Sequence, residues 1–142
     1  MIEIKGARKL QRKLNKISKD CDKLTHEGLM RGGKIVQAAA KLLAHVDTGE
    51  LRESITVESL SKTSVAVGTS KEHGVYEEFG TGRMGDPSVP HTSKEYWRYQ
   101  DADGNWYTTH GHEPHPFLSP ALDATKDKVV ETVKETIKGG LK

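Results

Sequence analysis

A single cysteine, Cys21, excludes an internal disulfide and suits a reducing compartment. Aromatic residues are only 6% of the 142-residue chain, so a core built on large rings is excluded. No stretch approaches the roughly 18 apolar residues of a membrane span. The start, Met1-Ile2-Glu3-Ile4-Lys5, lacks the apolar run of a signal peptide. A soluble protein made in the cytoplasm is the expectation. No strong charge of one sign is present either: the formal net charge is +2, which points to no partner class. Hydrophobic residues make up 34% and charged residues 30%, with a mean hydropathy of −0.67. That is lean for a globular core without reaching the composition of a disordered chain. One domain over residues 1–142 fits the length. Its modest core is expected to gain order by packing against copies or neighbours.

What is present reads as α-α-β-β-loop-β-β-α. Leu10, Leu14, Ile17, Cys21 and Leu24 recur at spacings of four and three, the apolar stripe of an amphipathic helix over 7–24. Lys5, Lys9, Arg12, Lys16, Lys19 and Lys23 form a basic stripe roughly 140° away around that helix. Cys21 falls in the apolar stripe and reads as a small hydrophobe. Thr25 is a plausible N-cap for a second helix to about His45. Gly28, Gly32 and Ala40 in it form a close-packing face, or else the helix breaks near Gly32-Gly33. Asp47 with Glu50 resembles a capping box. Ile55/Val57 and Val65/Val67 alternate with polar or small residues across Ser61-Lys62-Thr63, which predicts an antiparallel hairpin.

Val75–Phe79 reads as a helical turn stopped by Gly80, and residues 80–95 as a loop. Tyr96–Gln100 and Asn105–Thr109 flank Asp101-Ala102-Asp103-Gly104, the signal of a second hairpin. It carries most of the aromatic residues and is expected to project. Ser119 as N-cap and Pro120 at the first helical position open the last helix. Leu122, Val129, Val133 and Ile137 form its apolar face, and Gly139-Gly140 its end. The fold class is α+β: N-terminal helices and a C-terminal helix packed on a small antiparallel sheet, with a protruding loop or hairpin.

Three segments, in this order and spacing, resemble the tail-component or head–tail joining proteins of long, non-contractile-tailed bacteriophages. They are Val46–Ile55 (VDTGELRESI), Val75–Gly82 (VYEEFGTG) and Pro114–Leu122 (PHPFLSPAL). The long helical region before the first segment matches the same layout. The resemblance spans about residues 5–138 and leaves Pro87–His112 unmatched; residues 83–113 read as a variable loop and hairpin insertion. The motif residues are Asp47, Thr48, Gly49, Leu51, Ser54 and Ile55, then Tyr76, Glu78, Phe79, Gly80, Thr81 and Gly82. Pro116, Phe117, Pro120, Ala121 and Leu122 complete them.

The resemblance implies structural work at the neck or upper end of the tail. A ring, six-fold on tail symmetry, would complete the tail and bridge the head–tail connector to the terminator and tube proteins. It also implies assembly in the host cytoplasm and residence in the virion, with no catalytic residue, cofactor or metal. Read physically, Gly49, Gly80 and Gly82 supply backbone shapes other residues resist. Tyr76 and Phe79 would anchor their turn in the core, and Pro116 and Phe117 would pin the start of the last helix.

Asp47-Thr48-Gly49 is the triplet of aspartic proteases, but it follows a helix rather than an apolar strand and reads as a capping turn. His110, His112, Glu113 and His115, with His91, make a ligand-like cluster; lying in a Pro- and Gly-rich loop, they read as solvated. The basic stripe faces either DNA phosphates or simply solvent. Tyr96, Trp97, Tyr99, Trp106 and Tyr107 could stack bases, pack locally or contact a neighbouring subunit. The last is favoured because a two-stranded hairpin alone is barely stable. A small sequence-independent DNA-binding protein using the basic helix is the alternative function.

Overall fold

The computed structural model describes residues 5–46 and 49–141. Its first element, α1, is one helix over Ala7–Leu43. The sequence signals predict two helices with a cap at Thr25, and here local propensity loses to packing. A threonine inside a helix costs only a fraction of a kcal/mol, and each glycine about 1 kcal/mol relative to alanine. Close neighbours hold the glycine segment helical. A Cβ at Gly28 would lie 3.0 Å from the Val133 Cα, one at Gly32 2.7 Å from a Val129 methyl, and one at Gly33 2.7 Å from a Val57 methyl. The predicted close-packing face is therefore present, with Gly28, Gly32 and Ala40 all buried, and there is no break at Gly32-Gly33.

A five-residue helix, α2 (Glu50–Ser54), follows, with Gly49 in the left-handed conformation (φ 79°) at its N-cap position. Asp47 and Thr48 lie outside the described residues. Strands β1 (Ile55–Ser61) and β2 (Ser64–Thr69) pair antiparallel across Lys62-Thr63, with Ile55 opposite Thr69 and Val57 opposite Val67. The alternation predicts this face correctly: Ile55 is buried and Val57 half-buried, while Thr56 and Glu58 are exposed. Val57 and Val65 cover Gly33 of α1, and the Gln37 amide donates to the Ile55 carbonyl at 2.7 Å.

Helix α3 (Glu72–Phe79) stops at Gly80 (φ 70°). A loop with one 3-10 turn at Gly82–Met84 leads to β3 (Trp97–Gln100) and β4 (Trp106–Thr109). Among the described residues these pair with each other alone, so the four described strands make two separate hairpins.

Helix α4 (Leu118–Gly140) runs antiparallel to α1: Val129 meets Gly32, Val133 meets Gly28 and Gly140 meets Leu24. Three expectations need correction here. Phe117, not Ser119, holds the N-cap position, so Pro120 is the third helical residue; that still lies in the first turn, where no helical acceptor exists for its missing N–H. The helix also runs through Gly139-Gly140. Its buried positions are Ala121 and Thr136, with Val129, Val133 and Ile137 half-buried beside them, whereas Leu122 is 52% exposed. The predicted face is thus kept at Val129, Val133 and Ile137 and departs at Leu122, with Ala121 in the core beside it.

The core is small. Among the described residues Val36, Ala40, Ala44, Leu51, Ile55, Phe117 and Ala121 form it, and of these only Phe117 and Ile55 are large side chains fully shielded from solvent.

Candidate assembly surfaces

The three sequence motifs converge on one buried knot. Leu51 and Ile55 from the first and Phe117 and Ala121 from the third share the core cluster with the C-terminal part of α1. Within the first motif the Ser54 hydroxyl donates to the Leu51 carbonyl at 2.7 Å and pairs with Thr69.

Glu78, of the second motif, joins them. It is 5% exposed, and its carboxylate accepts the N–H groups of Phe117 (2.8 Å), Leu118 (2.9 Å) and Ser119 (2.9 Å) and the Ser119 hydroxyl (2.6 Å). These are the N–H groups a helix start leaves without partners, and the positive end of the α4 dipole favours the anion. Burial alone pushes the Glu78 carboxyl up. The Ser119 hydroxyl and the three N–H groups outweigh it, and the carboxyl sits below its ordinary value. The cap expected from Ser119 therefore comes from 39 to 41 residues away.

The same segment clamps the approach to α4. Thr81 and His112 exchange bonds, main-chain N–H to carbonyl at 2.9 Å and main-chain N–H to hydroxyl at 3.1 Å. A Cβ at Gly80 would lie 2.7 Å from the His112 carbonyl oxygen. Gly80 and Gly82 both hold positive φ, as expected.

Two anchors are placed differently from expectation. Tyr76 is 43% exposed, its hydroxyl donating to Glu72 at 3.0 Å, because the inward face of α3 is the i, i+4 pair Gly74 and Glu78. Phe79 is half-buried, and Pro116 is exposed while Phe117 does the pinning. Val75, Tyr76 and Phe79 instead wall a groove of about 610 Å³ with Val89, Pro90 and Trp97. The exposed Leu122 borders a second apolar cleft, of about 220 Å³, with Leu29, Val65, Val67 and Leu118.

The strongest unpaired feature is the first half of α1. Helix α4 ends level with Leu24, so residues 7–23 extend about 25 Å beyond it at 1.5 Å per residue. Leu10, Leu14 and Ile17 are 59%, 56% and 51% exposed on this arm. Lys5, Lys9, Arg12, Lys16, Lys19 and Lys23 are all exposed as well. Residues 5–23 hold eight basic residues and two acidic; the rest of the chain holds fourteen basic against eighteen acidic.

The aromatic hairpin offers a second surface. Tyr99 stacks on Tyr107 across the strands at 5.6 Å, and Arg98 lies over the Trp106 ring at 5.4 Å. Tyr96, Tyr99, Trp106 and Tyr107 nonetheless remain exposed. Trp97 alone packs inward, against Gly82.

The loop histidines, read from the sequence as solvated, are spread apart, except that the His112 ring stacks on that of His115 at 6.3 Å. His91 and His110 bond to the carbonyls of Val89 and Glu95, and His112 to that of Glu113. His115 turns instead toward His45 and Glu77. Among the described residues no helix is long and apolar enough to cross a membrane.

No curated protein and no solved structure matches the chain. A family profile does: "Bacteriophage HK97-gp10, putative tail-component", over residues 8–80. The matched span runs from the start of the arm to the end of α3, taking in the first motif and most of the second. With half of its length matched, and with the third motif bound to the second through Glu78, the chain belongs to the HK97-gp10-like family of phage tail components.

Proposed function

We propose that this chain is a non-enzymatic ring subunit at the phage neck, completing the tail's upper end and joining it to the head connector. The observation that carries the reading is surface area. The chain exposes 10762 Å², where a compact monomer of its mass presents about 7300 Å². A subunit in a stable complex buries about 800 Å² or more against each partner, so the excess accommodates two ring neighbours and contacts above and below. The charges favour an arm laid against the body of the next copy, because two arms side by side would repel. Head-to-tail contact of that kind makes a ring when its rotation closes, and six copies would match tail symmetry. The connector and the tail terminator or tube proteins are the other proposed neighbours. Assembly would take place in the host cytoplasm, ahead of residence in the virion.

The basic face of the arm supports a second reading, a sequence-independent DNA-binding protein. Phosphate contact uses the lysines but leaves Leu10, Leu14 and Ile17 in water, which favours the assembly reading. In a ring the same face would stand toward DNA in the channel, with affinity falling steeply as salt rises.

Light scattering on the purified chain tests self-assembly. A mass several times 15.7 kDa is expected, reduced when residues 94–110 are deleted while the helical circular dichroism is kept. A monomer at every concentration would sink the ring reading, and full-size rings without the hairpin would remove its part in the contact.

A further inference from the structure

Three segments distant in sequence bring together His45, just past the end of α1, Glu77 on α3, and His115 ahead of α4. One ligand atom from each lies within 4.8 Å of the others. Both imidazole Nδ1 atoms stand 3.8 Å from the same carboxylate oxygen, Glu77 Oε2. That oxygen is buried and has no hydrogen-bond partner, an arrangement that is unfavourable when left uncompensated. The His115 main-chain N–H donates to the Glu77 carbonyl at 2.7 Å, which fixes these two residues side by side. The His45 and His115 rings lie 4.9 Å apart.

We propose that these residues form a binding site for a zinc-type divalent cation. Two imidazole nitrogens and one carboxylate oxygen are a donor set that zinc accepts at about 2.0–2.2 Å. In tetrahedral coordination such ligands lie roughly 3.3 Å apart, so the two 3.8 Å pairs need to close by about 0.5 Å and the widest pair by up to about 1.5 Å to share one ion. The exposed histidines give the ion a path from solvent, and water takes the fourth position. The ion would satisfy the orphaned oxygen and tie the end of α1 to α3 and to the segment that leads into α4. Its role is that of a staple, independent of whether rings form.

The test uses the tag-free full chain and zinc chloride, read by calorimetry and by metal content after gel filtration. One zinc per chain is expected. Glu77→Gln and His115→Ala should each weaken binding about 100-fold or more, since even outer-shell partners of a metal site cost 10–100-fold. His91→Ala and His110→Ala should bind as the parent does. Cobalt(II) on the parent chain gives a check free of any folding defect in the variants. It should show visible four-coordinate bands and no thiolate charge-transfer band, since Cys21 lies elsewhere. Absence of stoichiometric zinc at millimolar concentration would overturn the proposal. So would unchanged affinity in Glu77→Gln, an equal loss in His91→Ala, or a thiolate band with cobalt.

Discussion

Replacing Glu78 by Gln is expected to cost roughly 3 kcal/mol of folding stability, because the amide leaves buried N–H groups facing another donor. For a chain of this length that corresponds to a fall of about 10 °C in Tm. Four donors from Phe117, Leu118 and Ser119 converge on the one carboxylate, so it holds the start of α4 and, through it, the meeting of the three motifs. The folded-state carboxyl lies below its ordinary value. Its stabilisation is therefore present in full above the unfolded value, about 4.3, and is lost as pH falls through the lower folded value. The gap between parent and Glu78→Gln should be constant at neutral pH and close in acid below about pH 4. Urea titrations across that range check both statements. A gap under 0.5 kcal/mol at pH 7, the size of an ordinary surface change, would mean that the knot is held by its apolar members alone.

The second large effect concerns assembly rather than folding. Leu14 and Ile17 are more than half exposed and lie on the part of α1 that α4 does not reach, so the double change Leu14→Asp, Ile17→Asp should leave monomer stability within about 0.5 kcal/mol. On the proposed arm-to-body contact, the same change puts two carboxylates into an apolar interface, and the assembled mass should collapse to that of one chain. Sedimentation velocity beside thermal unfolding separates the two effects. Full-size assemblies from the double variant would show that the arm is a solvated extension and that subunits meet elsewhere. Loss of folding together with mass would place the stripe inside the fold, against its exposure.

Much of this architecture can be read from local signals. The Ile55/Val57 and Val65/Val67 alternation, the Asp101–Gly104 turn and the stop at Gly80 each act within a few residues, and each element forms where its signal lies. The three motifs likewise read as one scaffold. What local signals cannot carry is contact between distant segments. Thr25 looks like a cap only until Val133 and Val129 close over Gly28 and Gly32 and keep α1 continuous. Ser119 looks like the cap of α4, but the stronger acceptor arrives from α3. Tyr76 looks like an anchor because it is aromatic, yet Gly74 is what lets α3 come close, its missing Cβ leaving room for Thr69 and Leu51. Histidine spacing likewise points to residues 110–115 and His91, whereas the ring nearest His115 is that of His45, at 4.9 Å against 6.3 Å for His112.

The most direct measurement is electron microscopy of lysates from a phage or inducible prophage carrying an in-frame deletion of this gene. The account predicts filled heads and separate tails, rejoined into whole particles when the chain is supplied in trans. Intact infectious particles without it would contradict the joining role and leave the basic arm to a DNA-binding function.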